Sequence, residues 1–360
     1  MASWSDLSTD ALGRIVGFLS LPDLHRFSVV CRNWRWVVKH VKCSPAEQLP
    51  WLMMGEDTST KKRNFYSLTE NRHYYIDVPE LHDQHWIDSS FGWLFIIDRE
   101  LVPRLFNPLT RECYELPLLP KFQEETLRKR FTKAILSLDP SKTCDFTVLV
   151  LYHTNFAKVA FWRPGESART CVPDRNHIVD AIFFRGNFYL AGGDNLCMIS
   201  DLGSNPTVEL VMPLFSSGTR YLVYFMGELL LVERHIKFLG DKHDRHCKWH
   251  MVTERFTVDK LNLQERSSSE CNKIGDYAIF LGTRCSGYVV DSQLFPGCKR
   301  NSIYFTDLVL KLHPDVYGCD DLGIYDFTTD TIEPYYPPEI FHPFSEPPTW
   351  LTPTINRLLN

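Results

Sequence analysis

Apolar residues recur along this chain with two periods, and the change between them falls near residue 45. Up to that point the period is helical. Leu12, Ile15, Val16 and Leu19 stand at i, i+3, i+4 and i+7, one face of a helix. Ser8 supplies an N-cap for it, with Asp10 in the first turn. Ser20-Leu21-Pro22-Asp23 starts a second helix, with Ser20 as cap, Pro22 early and Asp23 in the first turn. Trp34, Val37, Val38 and Val41 form a third stripe. A segment of about 40 residues is too small to bury three apolar faces by itself. Part of that surface is therefore expected to meet another protein.

After Cys43–Pro50, a connector with two prolines, short apolar, aromatic and β-branched runs alternate with Gly, Pro, Asn and Asp. The runs 87–97, 146–152, 179–190, 221–232 and 278–290 read as strands. Several share one shape, an apolar strand, a Gly turn and another apolar strand: Phe91-Gly92-Trp93, Arg185-Gly186-Asn187 and Met226-Gly227-Glu228. Gly186 and Gly227 are 41 residues apart, and Gly92 precedes Gly186 by 94, close to two such units. A many-stranded unit of roughly 40–50 residues is the period of a propeller blade. Six blades are expected, near residues 50–80, 86–120, 131–173, 179–213, 220–271 and 277–337. A β-sandwich, or a pair of irregular β domains, is the competing architecture. The expected fold is mainly β with a small α-helical N-terminal domain. The helical domain covers 1–45, a β-propeller of about six blades covers 46–345, and a tail covers 346–360.

The N-terminal segment also resembles an F-box. The residues that carry the resemblance are Leu7-Ser8, Leu12, Ile15, Leu19, Asp23-Leu24 and Val30-Cys31-Arg32-Asn33-Trp34-Arg35, the last string being the most specific. Ser8 stands where the family usually has Pro. Further on, Leu105-Phe106-Asn107-Pro108-Leu109-Thr110 with Leu116-Pro117 resembles a strand-turn-strand of plant F-box proteins. So does the C-terminal pair Ser302–Asp307 and Asp321–Phe327. That family carries a KIB-type, kelch-like β-propeller. The resemblance implies docking on a Skp-type adaptor, and through it a cullin, by Leu7, Leu12, Ile15, Leu19, Leu24, Val30, Cys31, Trp34 and Arg35. Some of these would form the docking surface and others the F-box core.

Composition narrows the rest. The chain has 360 residues, 44% hydrophobic and 23% charged, which is globular. Its net charge of −5 argues against a dedicated nucleic-acid binder. Residues 1–45 run the other way, with six Lys and Arg against three Asp, which suits an acidic partner surface. The first residues hold no basic run followed by a long apolar one, so no signal peptide is expected. No run approaches a membrane span. The eleven cysteines are scattered with no Cys-x-x-Cys, which fits a reducing cytoplasmic or nuclear compartment.

Candidate chemistry is sparse. His243, His246, Cys247 and His250 cluster, but Lys242, Arg245 and Lys248 stand among them and would repel a cation; a solvated hairpin loop is expected, with no metal and no cofactor. Gly192-Gly193-Asp194-Asn195 reads as a turn, and Lys61-Lys62-Arg63 as a hairpin tip. Asp98, Asp180 and Asp291 fall at strand ends, where turn roles are usual. Trp86, Trp93, Trp162 and Trp249 read as blade packing, with one or two of them open to a partner-binding face. Substrate recognition is expected on long loops, 121–130, 163–176, 235–250 and 292–300, with Arg163, Arg175 and Trp249 as candidate contacts.

The expected function is that of a non-catalytic, substrate-recognition subunit of an SCF-type ubiquitin ligase. It would hold an unidentified target protein on the β domain. Two other classes remain open, a ligase-independent propeller scaffold or regulator and a propeller enzyme acting on a small molecule.

Overall fold

Six separate sheets make up the computed structural model, with three short helices ahead of them. The structure describes all residues except 1–3, 5–6, 20, 29, 41–48, 58, 83, 99–101, 118–130, 154–156, 167–169, 173–177, 201, 203–205, 215–217, 240–249, 272, 308–320, 335–347 and 354–360. The helices are α1 (Thr9–Val16), α2 (Leu21–Ser28) and α3 (Arg32–His40). Ser8 caps α1 as expected, its Oγ accepting from the Ala11 N–H at 3.3 Å. Ser20 and Val41 lie outside the described residues.

The first sheet holds β1 (Trp51–Glu56), β2 (Lys62–Ser67) and β3 (Arg72–Asp77). The second holds β4 (His85–Ser90), β5 (Trp93–Ile97), β6 (Pro103–Phe106) and β7 (Cys113–Glu115). The third holds β8 (Phe131–Leu136), β9 (Val148–His153), β10 (Ala157–Trp162) and β11 (Thr170–Val172). In the fourth are β12 (Ile178–Phe184), β13 (Asn187–Gly192), β14 (Asn195–Ile199) and β15 (Val208–Pro213). In the fifth are β16 (Thr219–Phe225), β17 (Glu228–Leu239), β18 (His250–Asn262) and β19 (Ser267–Glu270). The sixth has β20 (Tyr277–Gly282), β21 (Cys285–Asp291), β22 (Ser302–Asp307), β23 (Asp321–Asp326) and β24 (Thr331–Glu333). A last strand, β25 (Thr349–Leu351), returns to pair with β1 and completes the first sheet.

These sheets are the blades of a six-bladed β-propeller, and the apolar runs explain why. The inner strands of each blade are buried on both faces, so successive residues enter different seams. Val148, Val150 and Tyr152 of β9 pack between blades 2 and 3, while Leu149 and Leu151 pack between blades 3 and 4. Leu229 and Leu231 of β17 face blade 4, and Leu230 and Val232 face blade 6. One apolar cluster fills each of the six seams. The seam between blades 1 and 2 differs, because Leu12, Val16, Leu24, Phe27, Val37 and Val38 of the helices join it beside Trp51, Phe65, Tyr74 and Trp86. The helical unit and the propeller thus share a core.

Two departures from the expected layout concern closure. Residues 346–360 read as a tail, yet Thr349–Leu351 forms the inner strand of blade 1, with Trp350 and Leu351 buried. Three residues are too short a run for a strand signal. Blade 6 is not a simple meander: its order is β21-β20-β22-β23-β24, and β20 pairs in parallel with β22. The chain therefore doubles back inward through β21, which packs closely on β16. A Cβ at Gly287 would come within 2.7 Å of Val223 Cγ2, so only glycine fits there.

The turn between β20 and β21 carries Arg284. Blade 6 adjoins blades 5 and 1, yet this turn also bonds to blades 2 and 3. Arg284 O accepts from the Ser89 N–H at 3.1 Å and from Thr349 Oγ1 at 2.6 Å. Its Nη1 lies 3.5 Å from Trp86 O, and Cys285 O accepts from Lys133 Nζ at 3.1 Å. Reaching those blades requires crossing the axis of the ring.

Candidate functional site

Helices α1–α3 bury one face and leave another in solvent. Leu12 (0% exposed), Leu24, Phe27, Val37 and Val38 are enclosed. Leu7, Leu19 and Trp34 are partly buried against the same cluster, and the Trp34 ring lies 4.2 Å from that of Phe27. Trp34 Nε1–H donates to Trp4 O at 3.2 Å, and Arg35 Nε–H to Ser28 O at 3.2 Å. Trp4 (75% exposed), Phe18 (89%), Val30, Trp36 and Ile15 remain exposed. Trp36 stacks on His40, 4.6 Å between ring centroids.

The residues matched to the F-box motif therefore divide. Leu12 and Leu24 belong to the core, and Leu7, Leu19 and Trp34 support it. Ile15, Val30 and Arg35 are exposed, and Cys31 is half-buried. The docking candidates drawn from the motif did not include Trp4, Phe18 and Trp36. Phe18 follows the C-cap Gly17, outside the helical stripe, and Trp36 sits off the stripe formed by Trp34, Val37 and Val38. An aromatic residue off the buried stripe was the available signal.

On the propeller, Arg163 is engaged within the protein. Its Nη2 donates to Leu202 O of blade 4 at 2.6 Å, and it pairs with Glu166 at 3.7 Å. It staples two blades. Arg175 and Trp249 lie outside the described residues, as do the loop 121–130 and His243, His246 and Cys247. Residues 235–239 continue strand β17, and His250 opens β18. Between 292 and 300 the chain makes a 3-10 turn, Ser292–Leu294. It is tied to Asp276 by Ser292 Oγ at 2.5 Å and Gln293 Nε2 at 2.7 Å.

Asp180, read as a turn residue, instead sits fully buried in the innermost strand of blade 4, as does Asp88 in blade 2. Each follows a register shift in its strand, and that irregularity turns the carboxylate toward the next blade. Asp88 Oδ2 accepts from the Ala134 N–H at 3.0 Å, and Asp180 Oδ2 from the Leu222 N–H at 2.6 Å. Between them Lys133 Nζ contacts Asp180 Oδ1 at 2.7 Å. Burial pushes the Asp88 carboxyl up to about 7, against the pull of Lys133 and two N–H donors. For Lys133, burial favours the neutral amine, but Asp180 and Asp88 together outweigh it and hold the ammonium above the ordinary lysine range. The network joins the inner strands of blades 2, 3, 4 and 5. Further out, Arg220 pairs with Glu233 at 3.1 Å. Asp321 accepts from the Thr253 N–H at 2.6 Å and pairs with Arg234. Among the described residues no group of three or more His, Cys, Asp or Glu could hold a metal ion.

Comparison with known proteins agrees with this layout. The F-box domain family matches residues 4–43, and the KIB1-4 beta-propeller family matches residues 65–326. The Arabidopsis thaliana protein named F-box protein SKIP23 is 25% identical over 396 residues, covering 98% of this chain and 96% of its own length. The F-box/kelch-repeat protein At1g57790 of the same plant is 24% identical, covering 89% and 88%. The F-box protein At2g14290 is 24% identical over 92% of each chain. With an F-box match over the helices and one propeller-family match running from blade 1 into blade 6, the chain belongs to the F-box proteins that carry a KIB1-4 β-propeller.

Proposed function

We propose that this protein is the substrate-recognition subunit of an SCF-type ubiquitin ligase. Its helices would dock a Skp-type adaptor and, through it, a cullin, while the propeller holds a target protein. Ubiquitin transfer would then follow from proximity, because the complex raises the effective concentration of the target's lysines near a charged conjugating enzyme. The observation that carries this reading is the set of large apolar side chains, Trp4, Ile15, Phe18, Val30 and Trp36, left exposed on a unit whose other face is already packed. Such a surface marks an interaction site more often than a free one.

The test is binding of purified adaptor to the full chain. Phe18→Ala and Trp36→Ala are expected to weaken it by ~2 kcal/mol or more each, about thirtyfold, with no loss of thermal stability. Leu12→Ala is expected to act differently, lowering the stability of the whole protein by about 2–5 kcal/mol, because it opens a cavity in the shared core. Tight adaptor binding by both surface variants would rule out docking through this face.

A further inference from the structure

Two successive carbonyl groups tether the β20–β21 turn across the ring, and both rely on donors beside Asp88. Arg284 O accepts from the Ser89 N–H at 3.1 Å, and Cys285 O from Lys133 Nζ at 3.1 Å. The same Ser89 N–H also donates to Asp88 Oδ1 at 2.7 Å, so the carbonyl and the carboxylate share one hydrogen. The same Lys133 ammonium is drawn by Asp88 as well as by Asp180, which it contacts at 2.7 Å. A third tether, Thr349 Oγ1 donating to Arg284 O at 2.6 Å, involves no titrating group.

Charge at this centre does not balance when both acids are ionised. Asp88, Lys133 and Asp180 are all buried, two carboxylates against one ammonium. Like charges sharing a buried site favour retention of one proton. Asp180 takes the direct contact with Nζ, which leaves the proton to Asp88, and burial holds that carboxyl at about 7. The remaining elements around Asp88 bring little charge. The β20–β21 turn brings the Cys285 thiol and Arg284, whose Nη1 lies 3.5 Å from Trp86 O. Strand β5 sets Phe95 opposite Asp88, and β25 is Thr-Trp-Leu.

We infer that the β20–β21 turn is a proton-controlled latch, held across the ring while Asp88 is protonated and released when it ionises. A charged acceptor forms a hydrogen bond roughly twice as strong as a neutral one. Ionised Asp88 therefore draws the Ser89 N–H from Arg284 O and the Lys133 ammonium from Cys285 O, and both tethers slacken together. Release admits water, which takes up the proton and hydrates the carboxylate. The latched form binds the proton more tightly than the released form, so release grows as pH rises. For one proton the growth is at most about tenfold per pH unit, and it ends once Asp88 is ionised in the latched form as well. The ring is thus tighter in mild acid than at neutral pH, whatever the propeller binds.

Two buried thiols report on the latch in the full chain. Cys285 closes the turn, whereas Cys197 lies in the seam between blades 3 and 4. The protein is pulsed with N-ethylmaleimide from mildly acidic to mildly alkaline pH, and each thiol is read by peptide mass spectrometry. Labelling is divided by that of the same peptide in the urea-unfolded chain at the same pH, which cancels the titration of the thiols themselves. Relative labelling of Cys285 is expected to climb toward a pH of about 7 and level off above it, while Cys197 stays protected. Asp88→Asn cannot ionise and should make Cys285 labelling independent of pH. Thr349→Val should raise Cys285 labelling at every pH and leave its pH course unchanged, because the tether it removes does not titrate. Flat labelling of Cys285 in the unsubstituted chain overturns the latch, as does a pH course that Asp88→Asn leaves intact. Labelling of Cys197 that rises in parallel also overturns it, since the whole molecule would then be opening. Should Asp88→Asn fail to fold, the two thiols of the unsubstituted chain and the Thr349→Val course decide the matter.

Discussion

Lys133 is the residue on which the centre of the ring depends. Removing it strands the buried Asp180 carboxylate without its cation, and breaking a buried pair in this way costs about 3–5 kcal/mol. Lys133→Met is therefore expected to lower the unfolding free energy in denaturant by that amount. Asp180→Asn in the same chain should recover part of it, since the uncompensated charge is gone. Asp88 makes a separate, pH-dependent prediction. Its folded pKa is raised from 3.8 to about 7, so the folded state holds a proton that the unfolded chain has released. Stability should then fall as pH rises from about 4 to about 7 and level off above. Asp88→Asn should flatten that decline in a series of urea titrations across the range, whatever it does to the absolute stability. An unchanged slope would mean that the carboxylate stays ionised within the fold.

At the scale of elements, the blades were legible and their ends were not. Runs such as Phe146–Tyr152 and Tyr221–Val232 are mostly apolar because both faces of their strands meet another blade, so they stood out from the polar turns between them. The Gly92, Gly186 and Gly227 turns gave the repeat because a two-residue hairpin needs a positive φ. Strand β25 was hidden by its length, and the parallel pair in blade 6 by the fact that pairing order leaves no periodic mark. The site was half legible. The F-box string located the helices, but a motif does not say which side of a helix faces solvent. Leu12 and Trp36 could be sorted only once blade 1 was in place. For β25 the expected outcome is large. Trp350 packs edge-on against Phe280 at 5.0 Å, and its Nε1–H donates to Leu281 O at 3.0 Å. Trp350→Ala should cost about 3–5 kcal/mol, read as a shift in the denaturation midpoint.

For the whole molecule, the turn at Arg284 bears on how the chain is made. Blade 1 is complete up to Asp77 early in synthesis, but its partner strand ends at Leu351. At ~5–20 residues per second the ribosome needs about 14–55 s to cover that interval. Throughout it, Leu52, Met54 and Tyr66 wait for blade 6 and for Trp350, which pack against them. The other flank of blade 1 is shielded sooner, by helices already made. When the last eighty residues emerge, one hairpin reaches across to strands of blades 2 and 3 and to β25, and the circle closes in a single late event. A nascent chain stalled near residue 275 is thus expected to display a sticky, unclosed ring behind finished helices. If the helices dock an adaptor as proposed, such a product would enter the complex before it was able to hold a target. Pulse proteolysis of stalled ribosome complexes should show protease resistance of the five earlier blades rising only after residue 351 has cleared the exit tunnel.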